Sequence, residues 1–134
     1  MTIAGEPVAE VGRGLLVLAA AGPGDGAVEA VRLAAKIARL RVFADADGKM
    51  NRSLLDVAGE ALVVSQFTLY GDVSRGNRPS FLGAAPPAEA ARALAALADG
   101  LRGLGVPVST GRFGADMQVA LVNDGPVTIW LEGI

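Results

Sequence analysis

The sequence predicts a mixed α/β domain with two main helices, on three observations. Strand-length apolar runs recur along the chain, at residues 15–21, 61–64 and 127–131, and residues 107–112 and 117–123 also read as strands. Two longer stretches carry leucine and isoleucine at helical spacing between them. Gly- and Pro-rich breaks separate the runs, as at residues 22–26 and 124–126. The 134 residues suit one domain spanning residues 1–134 and are too few to expect two. An apolar fraction of 51% is enough for a real core.

In chain order, residues 7–12 alternate and read as a strand. Residues 15–21 (Leu-Leu-Val-Leu-Ala-Ala-Ala) form an unbroken apolar run, which predicts a strand buried on both faces. The break Gly22-Pro23-Gly24-Asp25-Gly26 opens a helix to about Leu40, with Leu33, Ile37 and Leu40 on one stripe. Asp25 is the expected cap. Counted from it, Glu29 lies one residue too late for a capping box. Residues 41–43 read as a short strand, and Asp47-Gly48 as a turn. Residues 45–49 lack the later acidic ligands of a calcium loop. Residues 61–64 read as a core strand running into Ser65, Gln66, Phe67 and Thr68, and residues 71–79 as a polar loop carrying Arg75 and Arg78. Pro86-Pro87 starts a second helix with Leu94, Leu97, Leu101 and Leu104 as its stripe. Strands at 107–112, 117–123 and 127–131 complete the pattern.

Composition removes many chemistries. The chain has no His and no Cys, which excludes disulfides, thiol nucleophiles, imidazole bases and thiolate metal sites. No metal and no cofactor is expected. Net charge is −2, unlike a protein held to long nucleic acid by counterion release. That argues against a DNA partner and leaves open a partner touched only at a nucleic-acid end. No apolar run reaches the roughly 18 residues of a membrane span. No basic-then-apolar leader is visible at the N-terminus, so a cytoplasmic, membrane-free protein is expected.

Two segments remain as candidate sites. Ser65-Gln66-Phe67-Thr68 places hydroxyl and amide groups at the end of a core strand, where α/β crevices form. Thr68 is a nucleophile or a binding hydroxyl, and main-chain N–H groups beside Phe67 can receive an oxyanion. The plainer alternative is an ordinary strand end. Asn123-Asp124-Gly125-Pro126-Val127-Thr128 reads as a turn. Phe113 and Met117 offer an apolar platform for a base, although such residues more often belong to a core.

Taken together, the chain resembles the D-aminoacyl-tRNA deacylase (DTD) family. The matching stretches are Ser65-Gln66-Phe67-Thr68-Leu69, Gly111-Arg112-Phe113-Gly114, Met117-Gln118-Val119 and Asn123-Asp124-Gly125-Pro126-Val127-Thr128. Arg78-Pro79-Ser80-Phe81, Ala85-Pro86-Pro87 and Gly48-Lys49-Met50-Asn51 fit in the same order. The resemblance implies mixed sheets curled into a partial barrel. It implies a carboxylic ester hydrolase that removes D-amino acids, and glycine, from the 3′ end of tRNA and rejects L-aminoacyl esters. It also implies a homodimer in which each subunit inserts a cis Gly125-Pro126 into its partner's site. Ser65, Gln66, Phe67 and Thr68 would form the catalytic pocket. Phe113, Gly114, Met117, Asn123, Gly125 and Pro126 would bind substrate, with Phe113 and Met117 at the terminal adenosine. Family members begin with a further strand containing Gln-Arg-Val, whose Arg supports the Gly-Pro motif. Here Met1-Thr2-Ile3 stands where that strand should have ended, and an absent strand leaves a sheet edge exposed. The alternative reading is a catalytically impaired dimeric module that still binds aminoacyl-tRNA ends.

Overall fold

The computed structural model describes residues 1–133. Its centre is a three-stranded parallel sheet of β3 (Gly14–Ala19), β6 (Glu60–Ser65) and β7 (Val108–Thr110), in the order β3-β6-β7. Parallel neighbours need long crossovers. One contains α1 (Ala27–Arg39) and the hairpin of β4 (Phe43–Ala44) with β5 (Met50–Arg52). The other contains a 3₁₀ turn (Phe67–Tyr70) and α2 (Pro87–Gly103). A separate antiparallel sheet joins β1 (Thr2–Ile3) to β2 (Glu6–Pro7) and β8 (Met117–Gln118). The α/β class and both helices are as expected, and the three sheets stay separate rather than closing on one another.

The core lies where α1 and α2 pack together and onto β6. Ala30, Ala34, Ile37 and Ala38 of α1 meet Leu97 and Leu101 of α2, with Leu54, Ala61, Val63 and Val106 beneath. Alanine dominates because the helices approach closely: a Cβ built on Gly100 would stand 2.9 Å from Cβ of Ala34. Strand β6 runs through the middle of its sheet, and Ala61, Leu62, Val63 and Val64 are all buried.

Several expectations need correction. The cap of α1 is Gly26. Counted from there, Glu29 is the third helical residue, and its carboxylate accepts the Gly26 N–H at 2.8 Å. Those main-chain N–H bonds hold the Glu29 carboxyl below its usual range. Asp25 instead closes the preceding loop by accepting the Gly22 N–H at 2.8 Å. Strand β3 is not buried on both faces. Among the described residues it pairs only with β6, and Leu18 is exposed. The expected strand at 7–12 shrinks to Glu6–Pro7. After Pro7 the chain turns back on Met1, whose amino group donates to the Ala9 carbonyl at 2.8 Å. The expected strands at 117–123 and 127–131 reduce to Met117–Gln118. Residues 119–133 join no ladder among the described residues. They face the open edge of β3 across a trough of about 2290 Å³.

Candidate active site

The carboxyl ends of β6 and β7 lie side by side, because the two strands are parallel and in register from Ala61↔Val108 to Val63↔Thr110. Ser65, half-buried, is the last residue of β6 and stands opposite Ala19. The Gln66 N–H extends that register by donating to the Ala19 carbonyl at 2.8 Å. The chain then tightens into the 3₁₀ turn, closed by Leu69 N–H to the Gln66 carbonyl at 3.1 Å and Gly71 N–H to the Thr68 carbonyl at 2.9 Å. This brings Phe67 and Thr68 to the surface. The Gln66 side-chain amide donates to the Thr68 hydroxyl oxygen. Phe67 packs edge-on against Phe81, with centroids 5.0 Å apart and planes at 72°.

The second wall follows from β7. Gly111 N–H donates to the Val63 carbonyl at 3.3 Å, which ties the start of the Gly111-Arg112-Phe113-Gly114 loop to β6. The Met117 sulfur lies where a side chain on Gly111 would project, so β8 covers this loop closely. Phe113 is exposed, and Gly114 takes a positive φ of 79°. The end of β6, the 3₁₀ turn, the loop after β7 and Met117 are thereby gathered at one end of the parallel sheet. Arg75 and Arg78 lie in the exposed loop between Gly71 and Ser80.

The second segment is built differently. The Gly125–Pro126 bond is cis. Gly125 has φ of 135°, a region that favours glycine, and a Cβ there would meet Val127 Cγ2 at 2.7 Å. Asn123 Oδ1 accepts the Val127 N–H at 3.0 Å, and Asn123 Nδ2 donates to Thr128 Oγ1 at 3.1 Å. Asn123, Asp124, Gly125 and Pro126 are exposed and line the trough with β3. Ser65, Gln66, Phe67, Thr68, Phe113 and Met117 do not line it. The 3₁₀ turn meets the trough through Leu69 and Tyr70.

Tyr70 sits between these regions. Burial raises its phenol above the ordinary range, and the carboxylates of Asp25 and Glu132 push in the same direction. Its hydroxyl would lie 2.7 Å from a Cβ on Gly22, so the loop before α1 must be bare there. No three of Asp, Glu, His or Cys cluster as metal ligands among the described residues. Sequence reasoning did not foresee the Phe67–Phe81 contact, the seat of Met117 on Gly111 or the Asn123 hydrogen bonds. Phe81 did fall in one of the matched stretches. Gly111, Met117, Asn123 and Thr128 fall in matched stretches too, but residue pattern alone did not say which of them touch.

Fold and site together define an α/β protein whose candidate site is main chain, amide and hydroxyl, with no imidazole or thiol. Comparison with known proteins narrows that class. The model of the D-Tyr-tRNA(Tyr) deacylase family matches residues 1–132. D-aminoacyl-tRNA deacylases are 61% identical over 132 residues in Ruegeria pomeroyi and 60% in Thermomicrobium roseum. These alignments cover 98% of this chain and 91% and 86% of those proteins. Among solved structures, the c-Myc DNA Unwinding Element Binding Protein superposes with a TM-score of 0.91 at 41% identity, covering 98% of this chain and 90% of that one. The chain belongs to the D-Tyr-tRNA(Tyr) deacylase family. It is an enzyme that hydrolyses D-aminoacyl-tRNA and so proofreads the attached amino acid.

Proposed function

We propose that the working unit is a cytoplasmic homodimer in which Gly125-Pro126 of each subunit enters the Ser65, Gln66, Phe67 and Thr68 site of the other. The observation that carries this reading is that the Gly125-Pro126 loop and the Phe67–Thr68 turn are both exposed, so each is open to a partner subunit. The substrate is the 3′ aminoacyl end of tRNA, with Phe113 and Met117 against the terminal adenosine and Gly114 giving the base room. A D-residue directs its side chain away from the Gly125-Pro126 backbone, whereas an L-residue drives its Cβ into it. Each tenfold of discrimination needs only about 1.4 kcal/mol, so a modest clash suffices. Glycine, which has no Cβ, passes the same test, and glycyl-tRNA is a second substrate.

The chemistry is substrate-assisted. A Thr68 nucleophile needs a base, and the chain has no His. The Gln66 amide donates to the Thr68 oxygen and so offers it no base for its proton. The ribose 2′-hydroxyl beside the ester activates water instead, and main-chain N–H groups near Phe67 receive the developing oxyanion. Two measurements test this. Thr68→Ala is expected to keep kcat within about tenfold. Substrate whose terminal adenosine lacks the 2′-hydroxyl is expected to lose about 100-fold or more in rate. A folded Thr68→Ala dimer that binds a substrate analogue but does not turn over would overturn the mechanism. Unimpaired hydrolysis of the 2′-deoxy substrate would do the same.

A further inference from the structure

Asn123 stands two residues before Gly125, and its carboxamide reaches across the Gly-Pro turn. Oδ1 accepts the Val127 N–H at 3.0 Å, and Nδ2 donates to Thr128 Oγ1 at 3.1 Å. A main-chain N–H can only donate, so the first bond fixes which end of the carboxamide faces Val127. The second then uses the end that is left. Each polar end thus makes one bond inside the loop. The bare face of Gly125 converges on the same place, since a Cβ there would lie 3.1 Å from the Val127 nitrogen. Little else holds the turn: residues 119–133 belong to no strand ladder, and Asn123, Asp124, Gly125 and Pro126 are exposed.

We propose that Asn123 is a positioning residue for chiral selection: it brackets the Gly125-Pro126 turn from both sides and does not bind substrate itself. Thr128 is the second post of the bracket. This rests on the reading above in which Gly125-Pro126 excludes the L form. A residue that contacts substrate changes KM. A residue that holds the excluding surface changes how well D is told from L, because a loosened turn admits the L side chain and misplaces the D ester together.

The test compares hydrolysis of D- and L-aminoacyl-tRNA by the full chain and by Asn123→Ala, Thr128→Val and Thr128→Ser. Asn123→Ala is expected to lower kcat for the D substrate about 10- to 100-fold, with KM within about threefold, and to lower the D-to-L ratio of kcat/KM by at least about tenfold. Thr128→Val removes one post and keeps the shape, so a smaller fall in the same ratio is expected. Thr128→Ser keeps the hydroxyl and should recover most of that fall. An Asn123→Ala enzyme altered only in KM, with its D-to-L ratio intact, would overturn the proposal, as would unchanged kinetics. If Asn123→Ala does not fold, the Val and Ser pair decides by the same ratio. Gly125→Ala is measured alongside. An intact ratio in that variant would sink the reading of the turn itself, which separates that failure from failure of the bracket.

Discussion

Two parts of this molecule solve the same problem in opposite ways. The turn after β6 is held from outside. The Gln66 N–H bonds to Ala19 on a neighbouring strand, and the strand that feeds the turn is buried from Ala61 to Val64. The Gly125-Pro126 turn is held from within, by the side chain of Asn123 and the hydroxyl of Thr128, on a stretch with no ladder. With the proposed role of the Gly125-Pro126 turn, stability and selectivity are stored in different places. Damage to the core should unfold the enzyme, whereas damage to the outer turn should spoil its judgement and leave it folded.

The largest effect expected is on the buried side. Leu101 is fully buried between the helices, and Leu101→Ala should cost about 2–5 kcal/mol of unfolding free energy in a denaturant titration. Val122, 89% exposed in the outer segment, should cost less than about 0.5 kcal/mol when changed to Ala. Equal losses at the two positions would break the comparison. Next comes Gly125→Ala. The added Cβ meets Val127 and the backbone has φ of 135°, so the turn must move. Deacylation of the D substrate should fall about 100-fold while the thermal midpoint shifts little. A fall in activity matched by global unfolding would show that the outer turn is part of the core after all. The smallest effect is at Tyr70, which joins the two regions. Its phenol is raised first by burial and then by Asp25 and Glu132. A raised folded value means that its contribution to stability is complete below the ordinary tyrosine range near 10 and is lost as pH rises through the folded value. Tyr70→Phe should flatten the alkaline fall in stability, and an unchanged slope would mean that the phenol is not sheltered.

The same contrast explains what could be read from the sequence. The central strand and both helices were legible because their burial is written locally, as the run at 61–64 and the stripe of Leu94, Leu97 and Leu101. The edge elements were not. Residues 117–123 and 127–131 have strand composition, but a ladder needs a partner at the right distance, and that depends on the rest of the chain. Residues 8–12 failed for a related reason: the Val8 N–H donates to the Met1 carbonyl at 3.0 Å, and the Met1 amino group captures the carbonyl of Ala9. The helix start shifted from Asp25 to Gly26 because the Asp25 carboxylate is occupied by Gly22. At the site, the position of Ser65 and Thr68 at a strand end followed from the apolar run before them. The Asn123 bracket did not, since Asn-Asp-Gly reads equally well as any turn.

The outer edge of β3 has a consequence for handling this protein. Six residues, Gly14–Ala19, carry no charge and no proline and, among the described residues, pair on one side only. An apolar strand paired along one edge is a template on which another extended chain can grow. Arg13, stacked over Phe43 at 5.5 Å, is the charge that flanks its start, and Gly22-Pro23 is the break that follows its end. Solubility during refolding thus depends on dilution and on those two flanks, because the strand itself carries nothing that discourages self-association.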